Sequence, residues 1–169
     1  MSTIQREYAN GADRPLAGYA ATMAVFSAGA AAVGALARLT GRRLPQPGPW
    51  DVLLTAGAVH RLARLVAKDP VTSPLRAPFT TYQGVSGPSE LAEEVRGSGA
   101  RKAVGELVTC PFCTGLWIAG GLTAGQVFAP DATRLVSAAL TAVTGADLLH
   151  FVRSWLQQAV EADDESDDE

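Results

Sequence analysis

Leu16-Ala-Gly-Tyr-Ala-Ala-Thr-Met-Ala-Val-Phe-Ser-Ala-Gly-Ala-Ala-Ala-Val-Gly-Ala-Leu-Ala37 contains no charged side chain. As a helix rising about 1.5 Å per residue it reaches roughly 33 Å, enough to cross a hydrocarbon core of about 30 Å. The run is too long for the apolar core of a typical signal peptide and has little positive charge before it, so it reads as a membrane helix.

Other runs extend the pattern. Leu107 to Pro130 is uncharged, and Leu135 to Ala146 continues through Asp147 and His150 to Val152. Trp50 to Val66 is apolar but interrupted by His60, Arg61 and Arg64. The expected fold is an all-α integral membrane bundle of four transmembrane helices, at about 16–37, 50–67, 111–130 and 134–153. The competing reading is a soluble bundle of apolar helices, because alanine discriminates poorly between lipid and protein core.

The flanks are polar. Residues 1–15 are expected to form a flexible N-terminus, and 154–169 a disordered acidic tail. The formal charge of −3 comes from the seven acids of Glu161–Glu169; the rest of the chain is mildly basic. Such tails usually solubilise rather than dock.

Between the apolar runs, Pro45-Gln-Pro-Gly-Pro49 forms a stiff turn that no helix can cross, and Trp50 suits a membrane interface. His60, Arg64 and Lys68 recur every fourth residue and share one helical face. Asp69-Pro70 ends that helix and opens a polar connector, 69–106, with no evident core of its own. Within it, Ser89 followed by Glu90, Glu93 and Glu94 suggests a short capped helix ending at Gly97. Gly121 and Gly125, and Ala138, Ala142 and Ala146, have the small-residue spacing that lets membrane helices approach closely.

Basic residues set the expected topology. Arg6, Arg14, Lys68, Arg76, Arg96, Arg101, Lys102 and Arg153 lie on one side of a four-span arrangement; Arg38, Arg42, Arg43 and Arg134 lie on the other. The excess places both termini and the connector in the cytoplasm, with the protein in the cell membrane.

Cys110 and Cys113, the only two cysteines, lie in Thr109-Cys-Pro-Phe-Cys-Thr-Gly-Leu-Trp117. Proline is favoured at the first helical position, which makes Cys110 the N-cap and puts Cys113 in the first turn. The positive end of the helix favours thiolate, the species that attacks disulfides and binds metals. Three readings stay open. The pair can pack at a crowded helix entrance, or act as a thiol–disulfide couple with Cys110 attacking and Cys113 resolving. It can also supply half of a tetrahedral zinc site, completed by His60 and His150 or by a second copy. A relay of the kind used by membrane thiol oxidoreductases would need a partner, because no second cysteine pair exists.

A second constellation joins His60, Arg61 and Arg64 to Asp147 and His150. Charges at membrane depth cost on the order of 3 kcal/mol each on insertion scales, so they pair or face a polar cavity. Asp147 with Arg61 or Arg64 is expected to form a structural ion pair, with a proton or ion pathway as the alternative. A third, Lys68-Asp69-Pro70-Val71-Thr72-Ser73-Pro74-Leu75-Arg76, either anchors the helix end or meets lipid headgroups, with Arg76 on phosphate. No phosphate-binding Gly-rich loop, GxSxG, HExxH or paired-carboxylate motif is present, and nothing suggests nucleic acid.

The order His60-Arg-Leu-Ala-Arg-Leu-Val66, Asp69, Pro74-Leu-Arg76, Glu106-Leu107 and Cys110-Pro-Phe-Cys-Thr-Gly-Leu-Trp117 resembles the domain-of-unknown-function 1360 family. The resemblance covers about Asp51 to Val152. It implies a small bacterial multi-pass membrane protein and carries over no reaction or cofactor. The expected function is non-enzymatic. His60, Arg61, Arg64, Asp69, Arg76, Trp117, Asp147 and His150 and the Cys110/Cys113 corner would form one polar cluster at the cytoplasmic face. That cluster would serve structure, or contact with a membrane protein partner or a second copy; the bilayer itself is the other expected partner.

Overall fold

The computed structural model describes residues 3–167. Helix α1 (Thr3–Ala9) leads through a loop to α2 (Leu16–Leu39), and α3 (Pro49–Lys68) follows. A 3-10 turn (Pro70–Thr72), the single-turn α4 (Ser73–Arg76), strands β1 (Thr80–Gly87) and β2 (Glu90–Val95), and α5 (Gly99–Thr109) form a headpiece. Helices α6 (Pro111–Phe128) and α7 (Pro130–Asp167) complete the chain.

Two helices are long and apolar enough to cross a bilayer: α2 and the Pro130–Ala159 part of α7. Only 6% of each apolar window is buried inside the protein, so most of these side chains need a covering that the fold itself does not provide. Helices α5 and α6 meet the same standard only as a pair, bent by 84° at Cys110. Among the described residues, two of the four expected spans therefore meet the standard of length and composition, or three if the bent pair counts as one, and α3 does not. Helix α3 carries Asp51, Arg61, Arg64 and Lys68, and these charges are what hold it below the standard. It packs against both α6 and α7 as the central element of the bundle.

The connector is also corrected. Residues 69–106 fold, and the segment expected as a helix after Ser89 is strand β2, antiparallel to β1. The acids at four-residue spacing suit a helix locally, but pairing with Thr80–Gly87 and the demand of a buried arginine for Glu93 decide otherwise. Ser89 sits in the tight turn with φ of 59°, and Gly84 takes φ of 137° at an irregularity in the ladder, a geometry that glycine adopts freely.

At the other flanks, residues 1–15 include α1, and the loop after it is held by Lys102 Nζ, which donates to Asp13 O (2.6 Å). The tail expected as disordered from 154 continues as helix to Asp167. Once a long helix is nucleated, extension costs little per residue, and Leu156, Gln157, Gln158 and Ala159 are good helix formers.

The close approaches differ from the expected small-residue faces. Gly121 has open space beside it, and Ala142 and Ala146 are exposed; of the expected pair only Gly125 sits in a close approach, where a Cβ would lie 2.6 Å from Thr133 Oγ1 of α7. The face of α7 turned toward the bundle is instead Thr133, Ser137, Thr141, Thr144 and Asp147. Thr141 Oγ1 donates to Leu54 O (2.7 Å) and Thr144 Oγ1 to Gly57 O (3.1 Å), so hydroxyls bond α7 onto the α3 backbone. At the far end from the headpiece, Arg42 donates to the carbonyls of Val127 (3.3 Å) and Phe128 (2.9 Å), satisfying the last turn of α6.

Candidate functional site

The most heavily determined residue is Arg76, at the end of α4. It is 0% exposed, and it is the only large side chain among the described residues that is fully buried. A buried guanidinium must be paired and must spend its donors. Its Nε donates to Glu93 Oε2 on β2. Nη1 donates to Val66 O (2.8 Å) and Thr72 Oγ1 (2.7 Å), and Nη2 to Asp69 O (3.0 Å). Thr80 Oγ1 closes the ring by donating to Arg76 O (3.0 Å), and Thr72 Oγ1 bonds Leu65 O. One cation thereby joins the end of α3, the turn after it, and the hairpin. Of the two readings of this segment, anchoring of the helix end is the one these bonds support, since the donors of Arg76 are spent inside the protein rather than on lipid phosphate.

Asp69 serves this junction twice. Its carboxylate accepts from Val71 N (2.9 Å), capping the 3-10 turn, while its carbonyl accepts from Arg76. Arg64 pairs with Glu90 on β2, one turn of α3 before Lys68. Arg96 and Arg101 donate to the carbonyls of Ala77 (2.7 Å) and Pro78 (2.9 Å), fixing the approach to β1. Tyr19 of α2 donates to Glu106 of α5, and Arg14 lies 3.8 Å from the same carboxylate.

The thiol corner borders this headpiece. Cys110 is the N-cap of α6, and its Sγ accepts from Cys113 N at 3.4 Å. Thr114 Oγ1 lies 2.8 Å from Leu107 O and 3.0 Å from Cys110 O, which bonds the bend between α5 and α6. Burial acts to raise the Cys110 thiol. Hydrogen bonds from the Cys113 thiol and from the Cys113 and Phe112 N–H groups, with the charge of Lys68, outweigh it and hold the thiol below its ordinary value. Phe112, between the two cysteines, is 92% exposed. Trp117 is one turn further along α6, edge-on to Phe26 of α2 with ring centroids 5.4 Å apart.

In a variant with Cys113→Ser, alkylation of Cys110 against pH is expected to reach half its limiting rate below pH 8.5, the approximate pKa of a free cysteine. A midpoint at or above that value would show that burial wins over the hydrogen bonds.

The second constellation assembles in part. Arg61 Nη1 lies 2.9 Å from Asp147 Oδ2, across α3 and α7, while His60 and His150 are exposed. Among the described residues no group of three or more His, Cys, Asp or Glu side chains could hold a metal, so the histidines do not complete a zinc site with the cysteines. The single polar cluster expected from sequence is thus several: the Arg61–Asp147 pair between helices, the Arg76 junction, and the thiol corner. Asp147→Ala is expected to lower the folded yield in membranes by about tenfold, since it leaves Arg61 unpaired among apolar helices. Arg61→Leu added to Asp147→Leu should restore most of it; failure of the pair to restore yield would show that the charges do more than neutralise each other.

Sequence reasoning missed Glu93, Thr72, Tyr19 and the hydroxyl face of α7. Glu93 carried a usable signal: with Leu91 and Val95 it occupies one face of a strand, an unusual place for an unpartnered acid.

Comparison with known proteins agrees with this core. A sporulation protein of Bacillus subtilis (strain 168), YjcA, is 34% identical over 111 residues, covering 63% of this chain and 94% of that protein. No solved structure matches the chain significantly. The family model described as "Protein of unknown function (DUF1360)" matches residues 53–153, which include most of α3, the whole headpiece, the thiol corner and the Arg61–Asp147 pair. With most of its length matched and a relative at that identity, the chain belongs to the DUF1360 family.

Proposed function

We propose that this chain is a non-enzymatic multi-pass membrane protein whose bundle holds a rigid cytoplasmic headpiece for contact with a partner protein. The observation that carries the reading is the burial of Arg76 with Glu93, Thr72 and the carbonyls of Val66 and Asp69. A mere connector between helices needs no such junction. A surface that must keep one shape does, because a buried ionic network restricts the alternatives open to a segment. The hairpin so held exposes Tyr82 and Val85 on β1, the kind of apolar group that partner contacts use. The excess of basic residues around the headpiece supports its cytoplasmic placement, and the name of the Bacillus relative supports a role in spore formation.

Two measurements test this. The protein should stay in the membrane pellet through an alkaline carbonate wash. It should also restore sporulation to a Bacillus subtilis strain lacking the relative, while Tyr82→Ser with Val85→Ser, at equal membrane abundance, should not. Release by carbonate, or full rescue by the hairpin variant, would end the proposal.

A second reading is favoured by one observation, the Cys110 Sγ that accepts the Cys113 N–H at the head of α6. In this reading the Cys110 thiolate attacks a disulfide of a partner protein, forming a mixed disulfide and releasing one partner thiolate. Cys113 then displaces the second partner sulfur, leaving Cys110–Cys113 oxidised and the partner reduced by two electrons. A further dithiol protein must reduce the pair again, since the chain has only these two cysteines. Cys113→Ser should then accumulate a mixed disulfide in native membranes that dithiothreitol releases; its absence would leave the cysteines a packing role.

A further inference from the structure

At the end of the bundle opposite the headpiece, the turn of Pro45 and Pro47, the start of α3, the end of α6 and the start of α7 enclose a half-open cavity of about 200 Å³. It is separate from the junction and the thiols described above. Ser137 of α7 lines it, is only 2% exposed, and its Oγ has no hydrogen-bond partner within the chain. A buried hydroxyl left unbonded is costly, so one aimed into a cavity points to something that bonds it there.

The remaining polar lining indicates the ligand's chemistry. Thr55 Oγ1 donates to Asp51 O (2.7 Å) and accepts from Gln126 Nε2 (3.0 Å), so Gln126 is held by one of its two N–H donors with its carbonyl oxygen open. Asp51 is engaged by Gly48 N (3.1 Å) and by Arg134 Nε at 3.6 Å. Asp131, in the first turn of α7, has no ion pair or hydrogen bond among the described residues. The unspent capacity is the Asp131 carboxylate, the Gln126 carbonyl oxygen and second N–H, the Ser137 hydroxyl and the outer N–H groups of Arg134; two carboxylates against one guanidinium leave the lining net negative. The N-termini of α3 and α7 also lie at this end and by themselves would suit an anion, but each already carries an acid in its first turn, Asp51 and Asp131.

We propose that this cavity binds a small molecule bearing a primary ammonium group. The ammonium's three donors match Asp131, the Gln126 carbonyl oxygen and Ser137 Oγ. At about 30 Å³ of liquid volume per water, the space holds several waters or a short aliphatic amine. On the topology proposed above the site faces away from the cytoplasm, but its chemistry does not depend on that placement.

The test is thermal unfolding of the full-length protein in lipid nanodiscs, titrated with ethanolamine or 1,4-diaminobutane and, at matched ionic strength, with sodium acetate or inorganic phosphate. The amines are expected to raise Tm in a saturable way, and the two anions to leave it unchanged. Asp131→Asn and Ser137→Ala should each weaken the amine response by about tenfold, in keeping with loss of a charge-assisted or buried hydrogen bond. Asp131 is exposed and Ser137 is unbonded, so both variants should fold without ligand, which their unfolding traces check directly. No amine response at about 10 mM, an equal response in both variants, or a response to phosphate or acetate instead would each overturn the proposal. The last would reassign the cavity to an anion held by Arg134 and the helix ends.

Discussion

Replacing Arg76 by alanine is expected to cost about 3–5 kcal/mol, the range for removing one partner of a buried ion pair. The loss is large because the neighbours cannot be rescued by solvent. Glu93, its side chain only 6% exposed, would be left without its guanidinium partner, and the carbonyls of Val66 and Asp69 would lose their donor. Against a typical total stability of about 5–15 kcal/mol, this is enough to melt the headpiece while the apolar helices stay in the membrane. Limited proteolysis should then cut within 77–98 in the variant and spare the parent. Arg76→Met combined with Glu93→Leu should recover most of the protection, because apolar replacement of both partners is often neutral. Equal protease resistance of Arg76→Ala and the parent would show that the junction does not hold the hairpin.

Gly57→Leu is expected to destabilise the packing of α3 against α7 strongly. A Cβ at Gly57 would lie 2.6 Å from Thr141 Oγ1 and 2.7 Å from its Cγ2. Neither atom can retreat easily, since Thr141 is held by its bond to Leu54 O. A leucine must therefore push α7 off α3, and overpacking of this kind costs about 1–3 kcal/mol. The same displacement breaks the hydroxyl bonds of Thr141 and Thr144 and lengthens the Arg61–Asp147 contact, adding roughly 0.6 kcal/mol for each membrane hydrogen bond lost. A fall in Tm of about 10 °C or more in nanodiscs is expected, partly reversed by adding Thr141→Ala. An unchanged Tm would mean that the two helices do not approach at Gly57.

These two predictions also separate what was legible in the sequence from what was not. The apolar runs announce their helices, because a charge-free stretch of that length has one good conformation and one good solvent. The Cys-Pro start of α6 was equally legible, since proline at the first helical position and a side-chain acceptor before it act within a few residues. The pairing of Arg61 with Asp147 could be anticipated because few ionisable groups interrupt those runs and each needs a partner.

The headpiece was not legible. The acids after Ser89 have helix-compatible spacing, and only pairing with β1 and the buried Arg76 makes them a strand. That choice is set by contacts between residues far apart in sequence, which no local pattern encodes. Helix α3 was expected as a pass, but among the described residues only α2, α7 and, as a bent pair, α5 with α6 meet the standard of length and composition. Helix α3 is apolar enough to be central, but its charges are satisfied by α7 and the hairpin rather than by distance from lipid.

The sequence by itself determined the apolar helices, the proline-marked starts of α3 and α6 and the position of the thiols, because each depends on neighbours within a turn or two of helix. Tertiary structure alone decided that Arg76 is the buried centre of the headpiece and that a hydroxyl face, rather than an alanine face, joins α7 to α3. It also decided that Ser137 opens into a cavity. Each is a matter of which groups, once brought together, are left to satisfy one another away from water.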